Sequence, residues 1–236
     1  MMIDKSISVF LPALNEQENI KDCVLAVKKY LKTRFKNFEI IVVSNGSTDD
    51  TDKIVKKLAE SDKRIILVND KKRGYGLALR SGFSRASNDL IFYTDGDNQF
   101  KIDEIDKLIP LLKTYDIISG YRIKRQDPFM RIVVANTYNL LINILFQLTI
   151  RDIDCSFKIF KKSVFKNMKL KSKTGLIDAE VIIKAKKRGF SVGQIGVTHY
   201  PRIKGQTIYA NELAIVKPEV VMDILKEIKT LWSELH

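Results

Sequence analysis

The sequence is poor in the features that would make it a disulfide-braced, secreted or membrane-spanning protein. Its 236 residues include two cysteines, Cys23 and Cys155, too few and too widely spaced for a disulfide framework or a zinc site. Lone cysteines usually serve packing, and a reducing cytosol is the compartment expected of them. No run of about eighteen apolar residues is free of polar interruption, so no transmembrane span is expected. The amino terminus, Met1-Met2-Ile3-Asp4-Lys5, enters a strand-like run without a basic region or cleavage site, which reads as no signal peptide. Low-complexity tracts, internal repeats and interdomain linkers are missing as well. Acid is short relative to base: 28 Asp and Glu against 41 Lys and Arg, a net charge of +13. That imbalance favours an anionic partner such as phosphate, nucleic acid or an anionic membrane face. The bland alternative is a solvated lysine surface, and Lys28, Lys29 and Lys32 do stand at exposed helical spacing. No zinc finger, RNA-binding signature or basic–aromatic alternation appears, which argues against nucleic acid.

What the sequence does have is alternation. Ser6 to Leu11 reads as a strand stopped by Pro12, and Asn15 can cap a helix with apolar positions Ile20, Val24, Val27 and Leu31. Phe38 to Val43 is a second strand, apolar on both faces, as a helix-covered parallel sheet requires. Ser47 and Asp50 have capping-box spacing for the next helix. Ile65 to Val68, Leu90 to Tyr93 and Asp116 to Ser119 continue the strands. Helices are expected from Gly74-Tyr75-Gly76 and over Ile102 to Lys113. The alternation predicts an α/β fold, a doubly wound sheet with right-handed crossovers.

Ligands of such sheets bind beyond the carboxyl ends of the strands. Pro12, Ser44-Asn45 and Asp95-Gly96-Asp97 all lie at such ends. Asp95 and Asp97 fall on one side of an extended segment, and two like charges there need an offset. A hard divalent cation shared with substrate phosphates would supply it; a polar turn capping the strand is the alternative. Convergence of three polar strand ends favours the metal–phosphate reading.

From Gly120 the pattern changes. Arg122, Lys124, Arg125 and Arg131 cluster around a loop containing Asp127-Pro128. Ile132 to Ile150 is the longest apolar stretch, with Asn136, Asn139, Asn143 and Gln147 as one polar stripe. It suits a core or interface helix, or a helix lying in a membrane surface. Ile153 to Lys162 and Ser191 to His199 read as strands, Gly189 as a helix cap, and Pro218 as the start of an amphipathic helix.

Several segments together resemble the family 2 glycosyltransferases of GT-A fold, and most closely the dolichol-phosphate mannosyltransferase and polyprenyl-phosphate glycosyltransferase branch. They are Leu11 to Asn19, Glu39 to Thr51, Arg73 to Gly82, Tyr93 to Phe100, Gly120-Tyr121-Arg122, Asp152 to Lys158 and His199 to Gly205. The resemblance implies a mixed, mainly parallel sheet flanked by helices, and one domain over 1–236, with 1–120 binding the nucleotide sugar, 121–210 facing the acceptor, and a terminal helix over 211–236. It implies an Asp-x-Asp motif in which Asp95, Asp97 and Gln99 hold Mg²⁺ or Mn²⁺. Pro12, Leu14 and Glu16 would line the nucleotide pocket, with Ser44, Asn45, Gly74 and Gly96 also on the donor side. Arg122 and Arg131 would hold the acceptor phosphate, Arg202 would reach the donor diphosphate, and Asp154 and Lys158 would lie on the acceptor side. With Asp97, these three arginines form the implied catalytic set. At the end of the second strand the family usually has Asp-Asp-Gly-Ser; here Ser44-Asn45-Gly46-Ser47 stands instead.

The expected reaction is inverting transfer from a nucleotide-diphosphate sugar to a polyprenyl phosphate, at the cytoplasmic face of a membrane with anionic lipid. A second copy of the chain or a membrane protein is a further partner to consider. Two alternatives stand beside it: a soluble transferase acting on a hydroxyl, with Asp178 or Glu180 as base, and a non-catalytic nucleotide-sugar-binding protein. For Asp178 and Glu180, helix N-terminal acids complementing the dipole are the simpler reading.

Overall fold

Strands that are apolar on both faces need cover on both sides, and the intervening helices supply it. The computed structural model describes residues 2–70, 72–123, 129–202 and 218–235. Among these residues, seven strands form one sheet: β1 (Ile7–Ala13), β2 (Phe38–Asn45), β3 (Ile65–Asp70), β4 (Leu90–Tyr93), β5 (Ile117–Ile123), β6 (Lys158–Lys161) and β7 (Val192–Thr198). Their order is β3-β2-β1-β4-β6-β5-β7. β3, β2, β1 and β4 pair in parallel, as do β5 and β7, while β6 runs antiparallel to β4 and β5. The sheet is mixed and mainly parallel: the parallel part is what the alternation predicts, and the antiparallel β6 is what the family resemblance adds.

The helices are α1 (Ile20–Arg34), α2 (Thr51–Ser61), α3 (Tyr75–Arg85), α4 (Ile105–Leu108), α5 (Phe129–Phe146), α6 (Ile177–Lys187) and α7 (Pro218–Leu235). Alternate residues of each strand divide between two cores. Ile7, Val9 and Leu11 pack with Val24, Val27 and Leu31 of α1 and with Ile105 and Leu108 of α4. Phe10, Ile41 and Tyr93 face the other way, onto Leu79 and Phe83 of α3 and Val181 of α6. A third cluster joins Ile142 and Phe146 of α5, Ile182 and Ile183 of α6, and Ile228 and Leu231 of α7. α5 and α7 thus form an outer layer over α6.

Local details depart from the sequence reading in instructive ways. Asn15 does not cap α1, whose N-cap is Asn19, four residues further on; Asn15 takes a left-handed φ of 56° and its side-chain Oδ1 accepts the Thr48 N–H. The Ser47–Asp50 capping box does not form either. Ser47 Oγ instead accepts the Asn15 N–H and the Ser44 hydroxyl, and Asp49 caps Thr51. Both segments are committed to each other across the sheet end, a contact that local spacing does not reveal. Pro12 does not stop β1, which pairs with β2 through Ala13. Its nitrogen, which carries no hydrogen, is on the β4 side, where the pairing with β1 already ends at Phe10 and Tyr93, so no ladder bond is lost. The helix expected over Ile102 to Lys113 contains a single α-turn, α4, between 3₁₀ turns at Ile102–Glu104 and Ile109–Lys113, because Pro110 cannot donate within a longer helix. The strand expected over Ile153 to Lys162 is confined to β6, since the Cys155 N–H turns back to Asp152 O. Gly189 caps α6 with a φ of 83°.

α3 lies close against β1: a Cβ on Gly82 would run into the Phe10 ring. Gly→Ala in a helix ordinarily stabilises by roughly 0.5–1 kcal/mol. Here overpacking reverses the sign, and Gly82→Ala should lower the unfolding free energy by about 1–3 kcal/mol in urea titration.

Candidate active site

The polar strand ends do converge. Pro12, Asn45 and Asp95-Gly96-Asp97 open into one cavity of about 840 Å³. β4 is only four residues long. Past it the chain turns under the end of β1, where the Gly96 N–H donates to Pro12 O at 3.3 Å. That turn presents both carboxylates to the cavity. Ser156 Oγ donates to Asp95 Oδ2 at 2.6 Å, and the Gln99 N–H to Asp97 Oδ1 at 3.0 Å. Burial, then the charge of Asp97, pushes Asp95 up to about 7 against an ordinary 3.8. Burial also raises Asp97, partly opposed by the Gln99 N–H and by Arg202 and Arg131. Two carboxylates this disfavoured as anions are poised for a divalent cation. All-oxygen donors on a single turn, with substrate phosphates to complete the sphere, fit Mg²⁺ or Mn²⁺. Among the described residues no cluster of three His, Cys, Asp or Glu side chains is assembled to hold an ion unaided. Gln99 also lines the cavity, its amide donating to Tyr200 O at 3.0 Å.

On the β1 side, Leu14 and Glu16 line the same space. Glu16 is buried, and that burial raises its carboxyl above the usual range despite Asn19 and Arg202. Its Oε1 receives Arg202 at 2.5 Å, while the other terminal nitrogen of Arg202 is 3.9 Å from Asp97 Oδ2. Arg202 is therefore aimed at the carboxylate pair by Glu16. Asn45 lines the cavity at the end of β2, and its amide is used twice: it donates to Lys72 O and accepts the Gly74 N–H, each at 2.5 Å. Ser44 lies beneath, fully buried and outside the lining.

Arg122 and Arg131 line the same cavity, and their charges act on Asp95 and Asp97 respectively. Arg122 projects from β5, not from the loop, and its guanidinium grips Asp152 in a fork at 2.7 and 2.8 Å. Burial works against its charge, but Asp152 more than offsets this and holds the guanidinium above its ordinary value. Arg131 sits in the first turn of α5. Lys124, Arg125 and Asp127-Pro128 lie outside the described residues, as does 203–217.

Asp154 and Lys158 part company. Asp154 lines the cavity; Lys158 is wholly buried below it and reaches the site only through its neighbours. Its Nζ donates to Asp178 Oδ1 at 2.5 Å, Tyr93 Oη at 2.9 Å and Cys155 O at 2.6 Å. The Tyr93 hydroxyl also donates to Asp178 Oδ1. Asp178 is thereby committed to a structural ion pair. Glu180 accepts the backbone N–H groups of Lys171 and Ser172 and pairs with Lys184. Neither is placed as a spare base. His199 lines the cavity beside Phe100, ring centroids 5.2 Å apart.

The remaining wall is aliphatic: Val133, Val134 and Leu141 of α5 face Val221, Ile224 and Leu225 of α7. α5 is no core helix, since Met130, Leu140 and Ile144 are more than half exposed at 57, 60 and 67%. Half of its polar stripe has a structural role: Asn139 and Asn143 each bond to the backbone of the Ile150–Ile153 turn. Sequence reasoning missed Ser156, Asp152 and Tyr138, all of which place or line polar parts of the site. The one signal available for Tyr138 was a polar aromatic ring within a largely apolar helix.

Sheet order, the paired carboxylates after β4 and the cavity at the strand ends define a GT-A glycosyltransferase. A model of glycosyl transferase family 2 matches residues 8–169, and the chain belongs to that family. It is 29% identical over 243 residues to glycosyltransferase AglD of Haloferax volcanii, a match covering 97% of this chain and 37% of that protein. It is 29% identical over 167 residues to the undecaprenyl-phosphate 4-deoxy-4-formamido-L-arabinose transferase of Salmonella choleraesuis, covering 70% of this chain and 51% of that enzyme. The chain thus corresponds to about a third to a half of these relatives. Glucosyl-3-phosphoglycerate synthase from Mycobacterium tuberculosis, solved with Mn²⁺, UDP-glucose and phosphoglyceric acid, has the same fold: TM-score 0.72 at 18% identity, over 95% of this chain and 80% of that one.

Two outcomes follow for the cation-free protein. Asp95 takes up a proton on folding between its ordinary 3.8 and about 7, so its contribution to stability is complete below about pH 4 and is lost as pH rises through about 7. Asp95→Asn should flatten the fall in unfolding free energy between about pH 4 and pH 7, measured by urea titration at each pH. Lys158→Met strands the Asp178 carboxylate without its partner and should cost about 3–5 kcal/mol, read in the same assay at pH 7.

Proposed function

We propose that the chain transfers a sugar from a nucleotide-diphosphate sugar to a polyprenyl phosphate, with inversion at the anomeric carbon, at the inner face of a membrane. The observation that carries this reading is the two-sided cavity. One end gathers Asp95, Asp97, Arg122, Arg131 and Arg202; the other is walled by the aliphatic side chains of α5 and α7. A sugar or small-metabolite acceptor has no use for the second end, whereas an amphiphile with a phosphate head needs both. A relative named for undecaprenyl phosphate, and a like-folded enzyme solved with Mn²⁺ and UDP-glucose, support the assignment.

Asp95 and Asp97, with Gln99, would hold Mg²⁺ or Mn²⁺ against the donor diphosphate, where the cation offsets charge growing on the leaving group. Arg202, steadied by Glu16, adds a fixed positive charge beside it. Pro12, Leu14, Asn45 and Gly74 border the space for the nucleoside. Arg122, oriented by Asp152, and Arg131 hold the acceptor phosphate, since paired guanidinium donors match phosphate oxygens. An acceptor oxygen that is already anionic attacks C1 as the bond from C1 to the diphosphate oxygen breaks, and the nucleoside diphosphate departs. No general base is required, in keeping with the structural commitments of Asp178 and Glu180. Aliphatic residues of α5 and α7 receive the first isoprene units. The exposed Met130, Leu140 and Ile144 of α5, and Met222 and Leu225 of α7, would meet the lipid surface. The net charge of +13 favours an anionic one. No described helix is long and apolar enough to cross a membrane.

The test uses purified protein, Mn²⁺, undecaprenyl phosphate and radiolabelled UDP- and GDP-sugars. Label should enter the organic phase and fall at least 10²-fold in Asp97→Ala. A new water-soluble glycoside would overturn the lipid acceptor and establish a hydroxyl one.

A further inference from the structure

Two polar atoms in the cavity wall are sealed from solvent and make no hydrogen bond among the described residues: Asp154 Oδ1 and Tyr138 Oη. Tyr138 lies on α5 and Asp154 in the turn beyond it, and both border the cavity beside Ser156 and Asp178. Neither neighbour meets them in the structure: Ser156 donates to Asp95, and Asp178 Oδ1 accepts from Lys158 and Tyr93. Burying an acceptor and a donor with nothing to meet them costs the desolvation of both, and a native structure that carries such a pair calls for an explanation, of which a bound polar group is one.

The chemistry of the pair restricts that occupant. A phosphate is a poor match at Asp154, since a carboxylate offers an anion no donor and adds repulsion. An isoprenoid chain would leave both atoms bare. A group that donates to one and accepts from the other, while tolerating the aliphatic Leu141 and Val134 nearby, is a pyranose with its hydroxyls and C–H faces. We propose that Asp154 Oδ1 and Tyr138 Oη form the subsite that binds hydroxyls of the transferred sugar and so selects the donor's sugar. This moves Asp154 from the acceptor role implied by family resemblance to the donor sugar, and it assigns a function to Tyr138. It rests on the donor assignment of the preceding subsection, but not on the lipid nature of the acceptor.

Calorimetric titration with Mn²⁺ separates the sugar from its nucleotide. UDP-glucose, UDP-N-acetylglucosamine and GDP-mannose are compared with UDP and GDP in the wild type, Tyr138→Phe and Asp154→Asn. For whichever nucleotide sugar the wild type binds, both variants should weaken it by roughly five- to a hundredfold. Affinity for the corresponding nucleoside diphosphate should stay within about twofold. Tyr138→Phe removes one oxygen from an otherwise unchanged ring, so it remains informative even if Asp154→Asn fails to fold; melting curves monitor both. An unchanged preference for sugar over bare nucleotide in Tyr138→Phe, as a water lodged between the two atoms would give, overturns the subsite and leaves the donor class standing. Parallel loss of nucleotide sugar and nucleotide overturns it too, as a structural effect. A wild type that binds none of the three nucleotide sugars overturns the donor assignment and the subsite with it.

Discussion

A lysine with no solvent exposure in the middle of a sheet constrains everything around it. Lys158 sits on β6, and its ammonium has to be met entirely by protein. Asp178 supplies the countercharge from α6, Tyr93 a hydroxyl from β4, and Cys155 a carbonyl from the turn before β6. These three contacts fix the relative positions of β4, β6 and α6. They also decide where the chemistry lies. Asp95 follows Tyr93 by two residues, and Ser156 follows Cys155 by one and holds Asp95. Burial raises Tyr93 well above its ordinary range, with Asp178 adding to the effect, so the phenol keeps its proton and remains a donor. A pair like this adds little net stability over an apolar replacement. Its consequence here is geometric: the floor of the cavity has one arrangement.

On that floor the cavity separates charge from hydrocarbon. The carboxylates and Arg122 come from strand ends, Arg202 from beyond β7 where Glu16 holds it, and Arg131 from the first turn of α5. The aliphatic wall comes from α5 and α7, an outer layer attached to α6 by Ile142, Phe146, Ile228 and Leu231. α7 has a second attachment. Glu227 accepts Ser172 Oγ, Thr174 Oγ1 and the Lys173 N–H, and Lys173 O in turn receives the Gly76 N–H at the start of α3. The approach there is so close that a Cβ on Gly76 would lie 2.6 Å from the Lys173 carbonyl carbon. The hydrocarbon wall and the glycine turn that borders the donor pocket are thus parts of one contiguous, well-bonded unit.

How much of this could be read from the sequence follows the range of the interactions involved. β1, β2, β4 and α1 are declared by local periodicity, and their apolar positions Ile20, Val24, Val27 and Leu31 are all buried. Asp95 and Asp97 follow a short apolar strand, and their convergence with Pro12 and Asn45 is a consequence of parallel topology alone. The insertion of β6 between β4 and β5 is not local. It depends on a long return of the chain after α5, and no periodicity encodes it. The role of Lys158 was hidden for the same reason, although a single lysine within Phe157-Lys158-Ile159-Phe160 is the kind of interruption that marks a buried charge. Asn15 and Ser47 each have good local capping chemistry and abandon it for one another. α5 is the intermediate case. Its composition is equally that of a core helix and of an exposed apolar one, and only the position of α6 beneath it decides which residues remain outside.

The end of β2 shows why a departure from a family pattern needs geometry before it can be interpreted. An Asn at position 45, where the family usually has Asp, can still accept a hydrogen bond but loses the charge, which puts the reading of the nucleotide base in question. In place, the amide does what a carboxylate cannot. It donates to Lys72 O and accepts from the Gly74 N–H at once, tying both sides of the turn that leads into α3. An Asp at this position would keep the bond to Gly74 but turn a second negative oxygen toward the Lys72 carbonyl. The chain therefore replaces a charge on the pocket wall by a tether beneath it. With Glu16 engaged by Arg202, the β1 and β2 side of the cavity presents little unpaired negative charge to a nucleotide that is itself strongly anionic. Charge on this side is instead concentrated at Asp95 and Asp97, where a divalent cation can use it.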